Sequence, residues 1–333
     1  MTTEVTHRTV ETNGIRMHLA EAGGGPLVVL CHGFPESWYS WRHQLRALAD
    51  AGFHAVAPDM RGYGRTDRPE AIDQYTLLHL IGDMVGLLDA LGANQAVIAG
   101  HDWSAPVAWL AALLRPDRFR GVIGLSVPHR PRGQVRPTSV MPQTDEAVFY
   151  QLYFQTPGVA EAELEQDVRH TVRSMLYSIS GDAPAREGGV TSIVAVGMVR
   201  RKGGFLDGMA NPAALPSWLS EADVNFYAGE FARTGFRGGL NWYRNIDRNW
   251  ELLAPYAGAS VMVPALYIAG DRDPVLKFPG MDRHIADMAK FVPQLRDALM
   301  LPGCGHIIQE ERAGEVSAAM IDFLRGLATE RAA

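Results

Sequence analysis

The stretch Gln95-Ala96-Val97-Ile98-Ala99-Gly100-His101-Asp102-Trp103-Ser104-Ala105 runs from a short apolar segment into a tight turn, and Pro106-Val107-Ala108-Trp109-Leu110-Ala111-Ala112-Leu113-Leu114 continues it as a helix. Strand, turn and helix, with the small residues Gly100 and Ser104 two positions either side of the central one, is the context of a nucleophile elbow. The small residues let strand and helix approach closely around a strained apex. Here the apex is Asp102, where such elbows usually hold serine. A serine alkoxide attacking an sp3 carbon would leave an ether, which histidine and water could not readily hydrolyse. A carboxylate doing the same leaves an ester whose carbonyl belongs to the protein and is open to water. The residue type therefore suits displacement at alkyl carbon, such as epoxide opening or dehalogenation. Taken alone, Asp102 is equally compatible with a helix N-cap, a position that favours aspartate.

Composition narrows the setting. At 333 residues the chain is long enough for one large α/β domain with an insertion, or for two domains. Apolar residues at 47% and charged residues at 20% describe an ordinary soluble globular protein. The net charge of -6 argues against a nucleic-acid surface or a polybasic membrane anchor. The start Met1-Thr2-Thr3-Glu4-Val5-Thr6-His7-Arg8 carries no apolar signal region, and no stretch reaches the length of a membrane span. Cys31 and Cys304 are the only cysteines, so a reducing, cytoplasmic setting is expected and both read as small buried residues. No His-Glu-x-x-His or paired Cys-x-x-Cys spacing suggests a zinc site.

Working outward from the elbow, strand and helix alternate. Ile15–Ala20, Leu27–Cys31, Phe53–Ala57 and Val122–Val127 read as strands, Trp41–Ala51 and Tyr75–Leu91 as helices between them. Such alternation predicts a mostly parallel sheet covered by helices, the α/β class. The pattern changes after Val127. From Pro128 to about Ser260 no strong buried strand is expected, whereas helices are, one of them opened by the capping arrangement Ser220-Glu221-Ala222-Asp223. Strands resume at Ala265–Ala269 and Ala298–Pro302, and Glu315–Leu327 closes the chain as a helix. The expected organisation is an α/β core over residues 1–127 and 261–333, interrupted by a helical lid over 128–260. Arg130, Arg132 and Arg136 at the junction read as a solvated loop.

Three short motifs, His32-Gly33-Phe34-Pro35-Glu36-Ser37-Trp38, Gly100-His101-Asp102-Trp103 and Gly303-Cys304-Gly305-His306, together resemble those of the α/β-hydrolase-fold epoxide hydrolases. The expected lid is the more specific part. Tyr150-Gln151-Leu152-Tyr153-Phe154-Gln155, Gly158–Gln166 and Gly235–Asn245 are similar to the hydrolase domain of animal soluble epoxide hydrolases. The chain begins directly at that hydrolase domain, so the phosphatase activity of the animal enzymes is not implied. The resemblance implies an α/β-hydrolase fold and conversion of an epoxide to a vicinal diol through an ester on Asp102. It casts His306 as the base that activates water. A carboxylate must orient that imidazole; Gly270-Asp271-Arg272-Asp273-Pro274-Val275 offers two, and the family pattern selects Asp273. An oxyanion hole is expected from the backbone N–H of Trp103, the residue after the nucleophile, with that of Phe34 added by resemblance. Ring opening also needs an acid for the emerging alkoxide, and a phenol, protonated near neutral pH, suits it. Family positions point to Tyr150 and Tyr243; Tyr153, at i+3 from Tyr150, shares its helical face, so core packing by one of the pair is expected. Phe34, Trp103 and Phe149 are expected to line an apolar substrate pocket. No cofactor and no metal is called for. The implied partners are a small apolar epoxide and water, with a homodimer left open.

Competing readings keep the same scaffold. A dehalogenase shares the aspartate nucleophile, but haloalkane dehalogenases usually show Asn where Phe34 stands, and fluoroacetate dehalogenases usually show Arg where Trp103 stands. Neither lineage requires paired lid tyrosines. A carboxylesterase is disfavoured because Ser104 is displaced from the apex. A non-catalytic ligand-binding protein on this fold would not need to keep Asp102, Asp273, His306, Tyr150 and Tyr243 all at once.

Overall fold

The computed structural model describes residues 4–184 and 197–329. An eight-stranded sheet forms its centre, built from β1 (Thr6–Thr12), β2 (Ile15–Ala22), β3 (Leu27–Cys31), β4 (His54–Pro58), β5 (Ala96–His101), β6 (Phe119–Leu125), β9 (Ala265–Gly270) and β10 (Leu295–Leu301). The two strands of intermediate number, β7 (Ala147–Phe149) and β8 (Met198–Arg200), pair separately as an antiparallel ribbon. Strand order in the large sheet is β1-β2-β4-β3-β5-β6-β9-β10, with antiparallel pairing only at the β1–β2 and β2–β4 end. The fold is thus the α/β-hydrolase type, a mostly parallel sheet flanked by helices, as the alternation predicts.

The strand sequences explain the layering. β3 is buried along its whole length, and its side chains alternate between faces. Val29 and Cys31 join the cluster that packs under α2 (Leu77–Ala90) and α3 (Ser104–Leu114). Val28 and Leu30 face the opposite cluster, with Leu45 and Leu48 of α1 (Arg42–Asp50). β1 escaped the sequence reading because Thr6-His7-Arg8-Thr9-Val10-Glu11-Thr12 is polar and exposed on both faces; its partner β2 supplies the backbone pairing that holds it.

Between β6 and β9 lie α4 (Tyr150–Tyr153), α5 (Val159–Leu164), α6 (Val168–Ser178), α7 (Glu221–Thr234), α8 (Arg237–Arg244) and α9 (Ile246–Leu252). The capping box at α7 forms as expected: Ser220 Oγ accepts from Asp223 N–H, and Asp223 Oδ2 accepts from Ser220 N–H at 2.8 Å. The β7–β8 ribbon is an addition to the expected, mostly helical segment. Its strands are three residues each, too short to show a period. Residues 185–196 of that segment, with 1–3 and 330–333, lie outside the described residues. After β9 come α10 (Met281–Ala286), α11 (Met288–Phe291), α12 (Ile308–Glu311) and the closing α13 (Ala313–Thr329), which covers Val316, Met320 and Leu324 against the sheet. Among the described residues no helix is long and apolar enough to cross a membrane.

One buried ion pair fastens the loop after β4 to α2. Arg61 and Asp83 are 2% and 0% exposed, with Nη2 and Oδ1 at 2.5 Å, and Asn13 Nδ2 donates to the same carboxylate. Removing one partner of such a pair strands a charge in a dry site. Replacing Asp83 by Ala is expected to lower unfolding free energy by about 3–5 kcal/mol, read as a shifted urea midpoint at unchanged slope.

Candidate active site

The elbow is built as the sequence suggests. β5 ends at His101, Asp102 sits at φ 50°, and α3 begins at Ser104. A left-handed aspartate costs roughly 1–3 kcal/mol and persists only where its surroundings over-determine it. The close approach behind it demands glycine: a Cβ on Gly100 would lie 2.0 Å from the Ser104 carbonyl oxygen. Gly33 plays the same part from the β3 side, where a Cβ would fall 2.4 Å from that of Asp102. Asp102 is therefore no mere helix cap; its side chain reaches across to β3 and to the loop after β10.

Its two oxygens have separate partners. Oδ1 accepts the Phe34 backbone N–H at 2.9 Å. Oδ2 lies 3.2 Å from His306 Nε2. On the far side of the ring, His306 Nδ1 meets both oxygens of Asp273 at 2.9 and 3.0 Å. Asp273 is fully buried, at the start of the turn after β9, and also accepts the Val275 N–H. Asp271, the other carboxylate in that loop, is exposed and caps Gly303 N–H instead. The structure thus places Asp273, and not Asp271, against the His306 ring. The Trp103 N–H, ahead of α3, has no hydrogen-bond partner among the described residues, as the first N–H groups of a helix often do not.

Electrostatics follow from this geometry. Burial opposes the charged imidazole of His306, but Asp273 and Asp102 together outweigh it and hold its pKa well above the ordinary value. Burial likewise opposes the Asp102 carboxylate, yet contact with His306, the nearby His101 and the Phe34 N–H leave its pKa lowered. The resting pair is an ion pair, carboxylate against imidazolium.

Both tyrosines named from the sequence lie within electrostatic reach of Asp102. Tyr243 is 3% exposed in α8, with its ring edge-on to Phe34 at 5.6 Å and to Trp103 at 4.9 Å, the residues flanking the elbow. Trp242 Nε1 donates to the Arg61 carbonyl and anchors α8 to the core. Tyr150, first residue of α4, packs against Tyr243 at 5.9 Å. Gln155 joins the two elements, its Nε2 donating to the carbonyls of Gln151 and Tyr243. Burial first, and then the Asp102 charge, push the Tyr150 pKa up; burial likewise raises that of Tyr243, with Tyr150 and Asp102 adding to it. Tyr153 has a different task, donating its hydroxyl to Glu163 Oε2 at 2.7 Å. Phe149 is 8% exposed and packs on Tyr150 and Phe278.

Behind the elbow is a layer that sequence reasoning passed over. His101 is fully buried, with Nδ1 2.6 Å from Glu36 Oε1 and Nε2 2.7 Å from the His306 carbonyl. Ser126 Oγ, on a residue at φ 64°, donates to the same carbonyl at 2.7 Å. Burial disfavours charge on both His101 and Glu36, but each stabilises the other, so the His101 pKa is raised and that of Glu36 lowered. The signal was present: Glu36 and His101 are polar residues inside the two quoted motifs, next to apolar strands.

The arginine cluster is corrected in part. Arg132 lies over the Trp250 ring at 4.0 Å and donates to the Trp250 carbonyl, and Arg136 pairs with Glu251 of α9. Arg132 thus pins the junction to α9, whereas Arg136 makes its ion pair in an exposed loop, as the sequence reading expects. Arg130 is exposed and forms no ion pair among the described residues, and Tyr150 lies within its electrostatic reach. Cys31 and Cys304 are buried free thiols, as expected. No metal-holding cluster of His, Cys, Asp or Glu occurs among the described residues.

Residues 26–313 match the family model for the alpha/beta hydrolase fold. Epoxide hydrolase A of Mycobacterium tuberculosis is 50% identical over 325 residues, 97% of this chain and 98% of the relative. The bifunctional epoxide hydrolase 2 of Sus scrofa is 40% identical over 93% of this chain but only 53% of its own length. Among solved structures, Epoxide Hydrolase A from Mycobacterium thermoresistibile superposes with a TM-score of 0.89 at 48% identity, covering 97% of this chain and 99% of that one. An epoxide hydrolase from an endophytic Streptomyces gives 0.92 at 44% identity, covering 98% and 96%. The elbow, the buried imidazole and the paired phenols thus stand on a scaffold shared along nearly the whole chain, which belongs to the epoxide hydrolase family of the α/β-hydrolase fold.

Proposed function

We propose that this chain hydrolyses an epoxide to a vicinal diol in two steps, with Asp102 as nucleophile. The observation that carries the reading is the pairing of Tyr150 and Tyr243, ring centres 5.9 Å apart and both within electrostatic reach of Asp102, beside a carboxylate already bonded to His306. Asp102 Oδ2 attacks an epoxide carbon, the C–O bond breaks, and its electron pair goes to the ring oxygen. Tyr150 and Tyr243 bind that oxygen, and one of them supplies its proton. Burial keeps both phenols protonated beforehand, the form able to donate.

Ester formation removes the charge on Asp102, one of the two carboxylates that hold the proton on His306. The imidazole pKa then falls, its proton passes to the phenolate left by ring opening, and a neutral base becomes available at the moment water must be activated. His306 Nε2 takes a proton from water as its oxygen adds to the Asp102 carbonyl carbon. Negative charge on Oδ1 meets the Phe34 N–H, with that of Trp103 as second donor. The acyl C–O bond breaks, the leaving oxygen takes the proton from His306, and the carboxyl proton released returns to the imidazole, restoring the starting ion pair. Asp273 holds the ring in orientation. Phe34, Trp103 and Phe149 present apolar surface to the substrate, and residues 128–260 serve as the lid that carries the acids.

The direct assay sets an aryl epoxide against a bromoalkane. Diol from the epoxide and no bromide release is the expected outcome. Bromide release without diol assigns the same aspartate to dehalogenation, and no turnover of either would favour a binding protein.

A further inference from the structure

The catalytic loop after β10 is held by a carboxylate that the chemistry above does not use. Glu311, at the end of α12, accepts three backbone N–H groups. Oε2 takes those of Gly305 and Gly181, both at 2.8 Å, and Oε1 that of Ile307 at 3.1 Å. Gly305 and Ile307 are the two neighbours of His306, so one side chain fixes the backbone on both sides of the imidazole. Gly181 belongs to the segment after α6, inside the proposed lid.

The contact between lid and loop is backbone on backbone. His306 N–H donates to the Ile179 carbonyl at 2.9 Å, and Arg272 Nη1 donates to the Gly181 carbonyl at 2.9 Å. A Cβ on Gly305 would lie 2.2 Å from the Gly181 nitrogen, and one on Gly181 would lie 2.2 Å from the Gly303 carbonyl oxygen. Neither chain could approach so closely with a side chain between them. Burial pushes the Glu311 pKa up, and the three N–H donors at this seam oppose that push with directional bonds that favour the carboxylate. No such bond reaches Asp102, whose partners are Phe34 and His306.

We propose that Glu311 is a positioning residue that ties Gly181 of the lid to the His306 loop, and that it serves the hydrolytic half of the reaction selectively. Water attack requires His306 Nε2 to sit within hydrogen-bond reach of a water at the ester carbonyl; displacement by about 1 Å costs about 100-fold. Ester formation depends instead on Asp102 and the two phenols. The inference rests on the two-step reading proposed above.

The test is rapid-quench measurement of both half-reactions in Glu311→Gln, following protein-bound ester and diol from a labelled epoxide. The amide has one acceptor oxygen and turns an N–H group toward a backbone donor. Hydrolysis of the ester is expected to slow about 10- to 100-fold, with ester formation within about 3-fold of the parent. In the steady state kcat and KM then fall together and kcat/KM is nearly unchanged. These first-order constants belong to folded sites, so a lower folded fraction does not imitate the result. In His306→Gln, adding Glu311→Gln is expected to change nothing further, because the effect passes through the imidazole. Equal slowing of both steps, parent-like hydrolysis, or an undiminished effect in the His306→Gln background each overturns the proposal. A parent protein that forms no ester overturns the two-step reading instead. Should Glu311→Gln not fold, Glu311→Asp carries the same measurement, since it keeps the charge but is one methylene too short to span Gly181 and Ile307 together.

Discussion

His306→Gln protein mixed with an epoxide is expected to stop at the ester, with about one equivalent of alkyl group bound to Asp102 and diol released about a thousandfold more slowly than by the parent. The imidazole's contact with Oδ2 at 3.2 Å helps keep Asp102 ionised, but the carboxylate retains the Phe34 N–H and the field of the buried His101. Attack on carbon is therefore expected to survive, while water loses the proposed base, His306. The same logic fixes the sign of the pH dependence. Asp102 has a lowered pKa, so ester formation continues into acid solution. Hydrolysis needs neutral His306, whose proton is held by Asp273 even after Asp102 is esterified, so it slows as pH falls through the ester-state pKa. That pKa lies below the resting one, because one of the two carboxylates is gone. Bound ester in the parent enzyme should thus rise as pH is lowered, seen by acid quench and intact mass. A steady-state ester level independent of pH, or diol release unimpaired in His306→Gln, would contradict these roles.

Replacing Tyr150 and Tyr243 together by Phe is expected to abolish ring opening before any ester forms. The two rings differ from Phe only by hydroxyls, so the packing of Tyr243 on Phe34 and Trp103 is kept. Loss of one preorganised donor to a developing oxyanion costs about 100-fold or more, and loss of both about 10,000-fold where the two act separately. Each single variant should retain measurable ester formation, since one phenol remains. Quench measurements that find ester forming at the parental rate in the double variant would remove the phenols from the mechanism. Tyr153→Phe is the internal comparison: its hydroxyl is engaged by Glu163, and its loss should leave ring opening within a few-fold.

Legibility in the sequence divides along physical lines. β3, β5 and β9 are short apolar runs buried on both faces, so their character is written locally. The elbow is also local: Gly100, Asp102 and Ser104 follow one another at every second position of the chain. β1 is a polar edge strand that exists through pairing with β2, and β7 and β8 find one another across a long stretch of sequence. Their pairing leaves no period to read. The site shows the same split. His306 and Asp273 follow from loop motifs, whereas the choice of Tyr150 over Tyr153 became geometric only once Glu163 was seen to engage Tyr153. Glu36 and His101 are 65 positions apart, and their contact beneath Asp102 depends on β3 and β5 being adjacent in the sheet. Buried polar pairs of this kind have no periodic signature, since their partners are supplied by topology.

The central claim, that Asp102 carries the alkyl group, is tested most directly by one turnover in water enriched in heavy oxygen, followed by mass analysis of the peptide containing Asp102 and of the diol. Water adds to the ester carbonyl, and the diol leaves with the oxygen that Asp102 first supplied. Heavy oxygen in the Asp102 carboxylate and an unlabelled first-turnover diol is the expected result. Label in the diol at once, with Asp102 unlabelled, would mean that water attacks the epoxide directly and that no ester is formed.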